Sequence, residues 1–206
     1  MDIDTTHFYL DTDGALQPQP YMQLRRVAVD TAAPKAGNYG VSGGQNKNDL
    51  LQTLSVSWTN DTPIDALVWG EVTRGGSKVT LQARSRGGLV FQNGCDTTGA
   101  AIKLTEASML AVGLDIGLSG VLSTDTAFGV TEVRQSAVTM PLCPDTTGLM
   151  TLIPGATFTG RVDCRFVTQV WQGTDPDGGA AGSESTYSAG ELKLELFALP
   201  YIAPIV

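Results

Sequence analysis

The chain has 206 residues with 13 Lys and Arg against 21 Asp and Glu, a formal net charge of −8 at pH 7. A partner of phosphate backbones needs a Lys/Arg surface, so nucleic acid is excluded. A hydrophobic fraction of 42% fills a core without metals, and 24 glycines with only 17% charged residues suit short strands and many turns.

No apolar run approaches the ~20 residues of a membrane span, so no membrane insertion is expected. The opening MDIDTTHFYL is acidic and lacks the basic start of a secretory signal. Assembly in a cytoplasm is the expectation. Cys95, Cys143 and Cys164 are odd in number, far apart and without zinc-site spacing, which reads as three reduced, mostly buried thiols.

In chain order, Phe8–Leu10 and Leu16 flank Asp11-Thr12-Asp13-Gly14, a hairpin signal. Tyr21–Val29 reads as a strand with a bulge near Arg25-Arg26. Thr31–Asp49, with Pro34 and several glycines, reads as a long loop. Leu51–Ala83 reads as three strands of one antiparallel meander. Leu54, Val56 and Trp58 alternate with hydroxyl residues; Ile64–Val72 is apolar on both faces; Val79 and Leu81 alternate with polar residues. The joints are Thr59–Pro63 and Thr73–Ser77, both rich in turn formers. Leu89–Phe91 is a short apolar piece before an Asn93-Gly94 turn. Gly99–Gly120 favours strand from its alternation after Leu110, with one or two helical turns over Ala100–Met109 as the alternative.

Val130–Met140 has weak contrast between its faces and reads as an edge strand or a partner-covered one. Pro154-Gly155 is a turn. Phe158–Trp171 alternates strongly, with Arg161, Asp163 and Arg165 on a solvated face of locally paired charges. Gln172–Gly190 reads as a second long polar loop, and Glu191–Leu199 as the last strand. In that strand Phe197 and Leu199 break the polar face. The tail from Pro200 to Val206 carries Tyr201, Ile202, Ile205 and Val206 without a charge, which marks it as a contact surface. The pattern predicts an all-β fold: an antiparallel β-sandwich, jelly-roll-like, over residues 1–206, with long polar loops.

No catalytic constellation emerges. His7 is the only histidine, and no GxSxG elbow accompanies it. Asp11, Asp13, Asp61, Asp65, Asp175 and Asp177 sit in turns, where aspartates cap their own backbone. Gly37–Gly44 and Gly75-Gly76 fit no nucleotide-binding motif. Arg25-Arg26 and Arg84/Arg86 read as subunit contacts or local ion pairs. Trp58 and Trp69 lie in strands, where core packing is the default, so Trp171 is the surface aromatic to watch. No enzyme, no cofactor and no metal are expected.

Four pieces carry a family likeness: SVSWTN at Ser55–Asn60, the valine-rich strand Val68–Gly75, LIPG at Leu152–Gly155 before FTGRVDCRF, and LELFALP at Leu194–Pro200. They resemble a family of proteins of about this length from tailed bacteriophages of actinobacteria. The segment Thr97–Thr126 departs from that likeness. The resemblance implies a virion structural protein of the minor tail or tail tip, whose partners are other virion proteins and copies of itself. A capsid decoration protein and a module binding a host-surface glycan are the alternatives.

Overall fold

The computed structural model describes residues 8–10, 12–19, 22–39, 47–81, 85–112, 131–142, 149–170 and 185–201. Among these residues there are fifteen strands and no α-helix. The first half of the chain holds β1 (Phe8–Leu10), β2 (Leu16–Pro18), β3 (Arg25–Ala32), β4 (Lys35–Tyr39), β5 (Lys47–Thr59), β6 (Ala66–Arg74), β7 (Ser77–Leu81) and β8 (Ser85–Asp96). The second half holds β9 (Thr105–Val112), β10 (Thr131–Gln135), β11 (Val138–Pro141), β12 (Met150–Leu152), β13 (Thr157–Val170), β14 (Ser185–Ala189) and β15 (Leu192–Pro200).

Apart from the β1–β2 hairpin, which turns at Gly14 with φ +77°, the strands form two layers. One layer is the sheet β5-β13-β8-β9. The other is a single creased sheet. Its halves have the orders β11-β6-β15-β3 and β10-β7-β14-β4, so each strand of one half runs on into the corresponding strand of the other. The breaks fall at Ala33-Pro34, Gly75-Gly76, Ser136-Ala137 and Gly190-Glu191. β12 continues the line of β11 along β6.

With each creased strand counted once, successive strands cross between the layers: β3/β4, β5, β6/β7, β8 then β9, β10/β11/β12, β13, and β14/β15. All pairings are antiparallel. Four strands in each layer, in these orders, make a double-sheet jelly roll. The all-β antiparallel sandwich expected from the period-two pattern is therefore the fold.

The core lies between the layers. Leu54 and Val56 of β5, Leu89 and Phe91 of β8, and Phe158, Val162 and Phe166 of β13 face Val68 and Val72 of β6 and Leu192, Leu194 and Leu196 of β15. All are buried. At ~25 cal/mol per Å² of apolar surface, this burial is the main favourable term. Leu142 enters from the edge of the creased sheet. Its N–H donates to the Gly70 carbonyl at 2.8 Å. A Cβ at Gly70 or at Gly160 would stand 2.5 Å from its Cδ2, so both strands carry glycine where this wedge passes.

Several expectations are corrected. The Leu51–Ala83 stretch is not a meander: β5 belongs to one layer, β6 and β7 to the other. Gly75-Gly76 is a crease within one strand line, held by the Gly75 N–H donating to the Glu191 carbonyl at 2.7 Å. A two-glycine break looks the same in sequence whether the chain reverses or runs on. The two long loops each contain a strand, β4 and β14, which pair with one another. Asn93-Gly94 lies inside β8, with Asn93 buried and its amide donating to the Pro141 carbonyl at 3.1 Å. The bulge of β3 falls at Val27, beside the expected position, because Leu196 pairs with Ala28 and Phe197 with Arg26. Thr105–Val112 is strand, including positions before Leu110 where helical turns were the alternative, and residues 113–120 lie outside the described residues. β10 and β11 lie at a sheet edge, as their weak contrast implied.

The thiols also differ from expectation. Cys95 is disulfide-bonded, whereas Cys164 is a free, fully buried thiol. Cys143 lies outside the described residues. Burial pushes the Cys164 thiol up to about 12, against the pull of the Arg74 charge and with a further push from Asp163. With three cysteines in the chain and an intrachain bridge, unreduced protein in denaturant should titrate one thiol per chain and native protein none. A titre of three in denaturant would show that Cys95 is not bridged.

Candidate interaction surface

The outer face of the creased sheet is built by alternation. In β6 the even residues Ala66, Val68, Val72 and Arg74 point into the core, which sends Leu67, Trp69, Glu71 and Thr73 outward. The register with β15 sets Leu67 opposite Leu199, Trp69 opposite Phe197 and Glu71 opposite Glu195. Trp69 and Phe197 stack, with ring centroids 5.5 Å apart and planes at 22°. Such a pair contributes about 0.5–1.5 kcal/mol beyond its area. The Trp69 Nε1–H donates to Glu71 Oε1 at 3.3 Å, which orients the indole.

Two carboxylates opposite each other would repel. Here Glu195 is neutralised by Lys193 at 2.7 Å and Arg26 at 2.9 Å. The bond from Lys193, with that from Arg26, outweighs burial and holds the Glu195 carboxyl below its usual range. Arg25 bonds Asp61 at 2.9 Å and lies 5.4 Å over the half-buried Trp58 ring. Arg25 and Arg26 are thus local ion pairs, one of the two roles expected for them.

A cavity of about 410 Å³ opens beside Trp69, lined by Gly70, Glu71, Thr139, Met140, Pro141 and Leu149. It sits where β11 ends opposite Glu71 and β12 begins opposite Val68, with the Leu142 N–H bonded to the Gly70 carbonyl between them. Nearby, at the end of β15, Leu199 and Tyr201 are exposed. The Tyr201 N–H donates to the Asp65 carbonyl at 2.8 Å. Leu24 and Ile153 are also exposed, at 58% and 61%, so this end of the molecule is markedly apolar.

The outer face of the other sheet is polar. Ser57 bonds Thr159 at 3.0 Å and Thr59 bonds Thr157 at 2.8 Å. Next to them Asp163 is fully buried although it points outward, because Arg161 and Arg165 fold over it at 3.0 and 3.4 Å and Thr53 donates to it at 2.8 Å. The local pairing expected there is present, but Asp163 is covered rather than solvated.

Of the residues singled out from sequence, Tyr201 stands at the surface, with Pro200 beside it in β15. Ile202, Ile205, Val206, Trp171, His7, Asp11, Asp175, Asp177 and Arg84 lie outside the described residues. Among the described residues no group of three or more His, Cys, Asp and Glu is placed to hold a metal, and no helix is long and apolar enough to cross a membrane. Trp69, Glu71 and Phe197 were missed as surface groups. The signals were present: Phe197 and Leu199 interrupt the polar face of their strand, and Trp69 shares a face with Glu71.

No protein-family model matches the chain, and no curated protein matches it. Among solved structures it is similar to that of the infectious bursal disease virus Gx strain, at 18% identity over 95% of this chain and 42% of that chain, with a TM-score of 0.26. The VP2 subviral particle of infectious bursal disease virus is similar at 17% identity over 95% and 41% of the two chains, with a TM-score of 0.25. The chain spans less than half the length of these structures. At such scores the strand order above, not the likeness, supports any reading of the fold.

The Asp163 cluster yields a test with a definite sign. Burial alone would raise its pKa; the bonds from Arg161 and Thr53 and the charges of Arg161 and Arg165 outweigh it and hold the carboxyl below its ordinary 3.8. A depressed folded pKa contributes stability above the unfolded value and loses it as pH falls through the folded one. Asp163→Asn should therefore cost about 1–3 kcal/mol at pH 7 by urea unfolding, with two half-exposed arginines left uncompensated. That difference should shrink as pH drops below 3.8. A difference independent of pH would contradict the charge pairing.

Proposed function

We propose that this protein is a non-enzymatic structural component of a virion, in the minor tail or tail tip, working through protein–protein contacts. The observation that carries the reading is the eight-strand jelly-roll order, an architecture that viral coat domains use. Lectins and cupins share it, so the site has to decide between them. What the surface offers is apolar contact area: the Trp69–Phe197 pair with exposed Leu149, Ile153, Leu199 and Tyr201. Patches of this kind mark interfaces. The net charge of −8 favours protein partners over nucleic acid.

The contact element in this reading is the tail beginning at Pro200, with Tyr201, Ile202, Ile205 and Val206 as its apolar side chains. A role as capsid decoration protein would use the same fold and differs only in location. A glycan-binding role is favoured by one feature alone, the partly buried Trp69 ring beside the Glu71 carboxylate.

Mass spectrometry of purified particles, with labelled antibody imaged on them, tests the proposal. The protein is expected in stoichiometric amounts at the tail. Label over the head would select decoration, and absence from particles would overturn the virion reading. Removal of residues 202–206 is expected to leave the circular dichroism spectrum unchanged and to lower incorporation at least tenfold. Normal incorporation would remove the tail from the interface.

A further inference from the structure

We infer that the groove over Trp69 is the receptor for the apolar C-terminal segment of a second copy of this chain. The inference rests on the self-assembly part of the proposed function and names the site where it happens.

The groove walls are the indole of Trp69 and the side chains of Met140, Pro141 and Leu149, with Glu71 and Thr139 as the polar members. A sugar site gathers several convergent hydrogen-bonding groups, whereas an apolar trough with one carboxylate suits aliphatic side chains on an extended backbone. Ile202, Ala203, Pro204, Ile205 and Val206 supply such side chains and no charged one. Pro204 has its φ fixed in advance, which lowers the entropy lost on docking. The groove lies between the end of β11 at Pro141 and the start of β12 at Met150; the Leu142 N–H already takes the Gly70 carbonyl there, so its floor receives side chains rather than an added strand.

The direction of the chain excludes the copy's own tail. β15 runs from Leu192, opposite Arg74, to Pro200, opposite Ala66. It has already passed Trp69, its neighbour at Phe197, before the tail begins. To come back, the chain must reverse, which takes about four residues, and then travel about 13 Å along β6 from Ala66 to Gly70 at 3.3 Å per residue. Ile202 and Ile205 are too close to Tyr201 for that. The groove of a neighbouring molecule requires no such reversal. Leu199 and Leu67 extend the apolar surface from the groove towards the point where the tail leaves, so two copies can exchange tails over one continuous face.

Complementation tests the exchange. One variant lacks residues 202–206 and keeps the groove; the other keeps the tail and carries Leu149→Asp. Leu149 is 49% exposed and lies outside the strands, so this substitution leaves the fold intact, which circular dichroism checks. In sedimentation velocity the unmodified chain should associate, each variant alone should be monomeric, and an equimolar mixture should form a dimer with one working joint. A synthetic Pro200–Val206 peptide should bind the truncated chain and lose at least tenfold in affinity with Leu149→Asp. The inference is overturned if Leu149→Asp associates like the unmodified chain, if the mixture stays monomeric, or if the groove takes a soluble sugar and not the peptide. A mixture that associates, from a protein absent from particles, leaves the docking site standing and removes the virion reading. A protein found in particles whose Leu149→Asp variant assembles normally does the reverse.

Discussion

The crease is the constraint on which the rest of the molecule depends. Four neighbouring strands break at one level, and the breaks nest against each other. Gly75 and Gly190 pass so close that a Cβ on Gly190 would lie 2.6 Å from the Gly75 carbonyl carbon. The Gly75 N–H donates to Glu191, Ser77 Oγ donates to the Gly75 carbonyl at 3.1 Å, and the Gly190 N–H reaches Ser77 Oγ at 3.3 Å. From the opposite layer, the Gln52 amide donates to the carbonyls of Ala33 and Gly190 at 2.8 and 3.0 Å. A crease leaves backbone groups off the ladder, and a buried unpaired one costs about 1–3 kcal/mol. Side chains of both layers fill that need here.

The crease also accounts for the least ordinary residue in the core. Arg74 is fully buried, and among the described residues its guanidinium nitrogens find no hydrogen-bond partner. It lies 4.8 Å over the Phe91 ring, and burial pulls its pKa below the usual value. An arginine at the last position of β6 is forced inward by the same alternation that sends Trp69 outward. Phe91 and Gln52 both pair with Cys164 in the opposing sheet, so polar and polarisable groups collect at this level rather than leucines. The outer surface follows from the same geometry: the line from β10 to β12 runs along one edge, steps inward at Leu142, and opens the groove over Trp69.

How much of this was legible in the sequence depended on the kind of signal. Period-two alternation located β5, β6, β13 and β15 and identified the inward residues of β13. Turn chemistry located Gly14 and Gly155, both at positive φ. Partner choice was not legible. Nothing in Thr73–Ser77 distinguishes a hairpin from a crease, since that depends on Gly190, more than a hundred residues away. β4 and β14 escaped because glycine, asparagine and serine form them. At Gly37 a Cβ would stand 2.7 Å from the Tyr187 hydroxyl oxygen, so that ring packs against the bare backbone. The disulfide of Cys95 escaped because spacing does not encode pairing. For the surface, the tail was visible as an uncharged run, but the groove beside Trp69 was not, because Trp69 and Phe197 meet only through the β6–β15 register.

Hydrogen exchange at the Gly75 amide tests the creased jelly roll most directly. If Gly75-Gly76 is a crease held by Glu191, that amide should exchange at the slow rate of β13 amides such as that of Val162, under conditions where the chain stays folded. If it exchanges as fast as the exposed amides of the Gly14 turn, the segment is a loop between hairpin strands, and the continuous β6/β7 line is wrong.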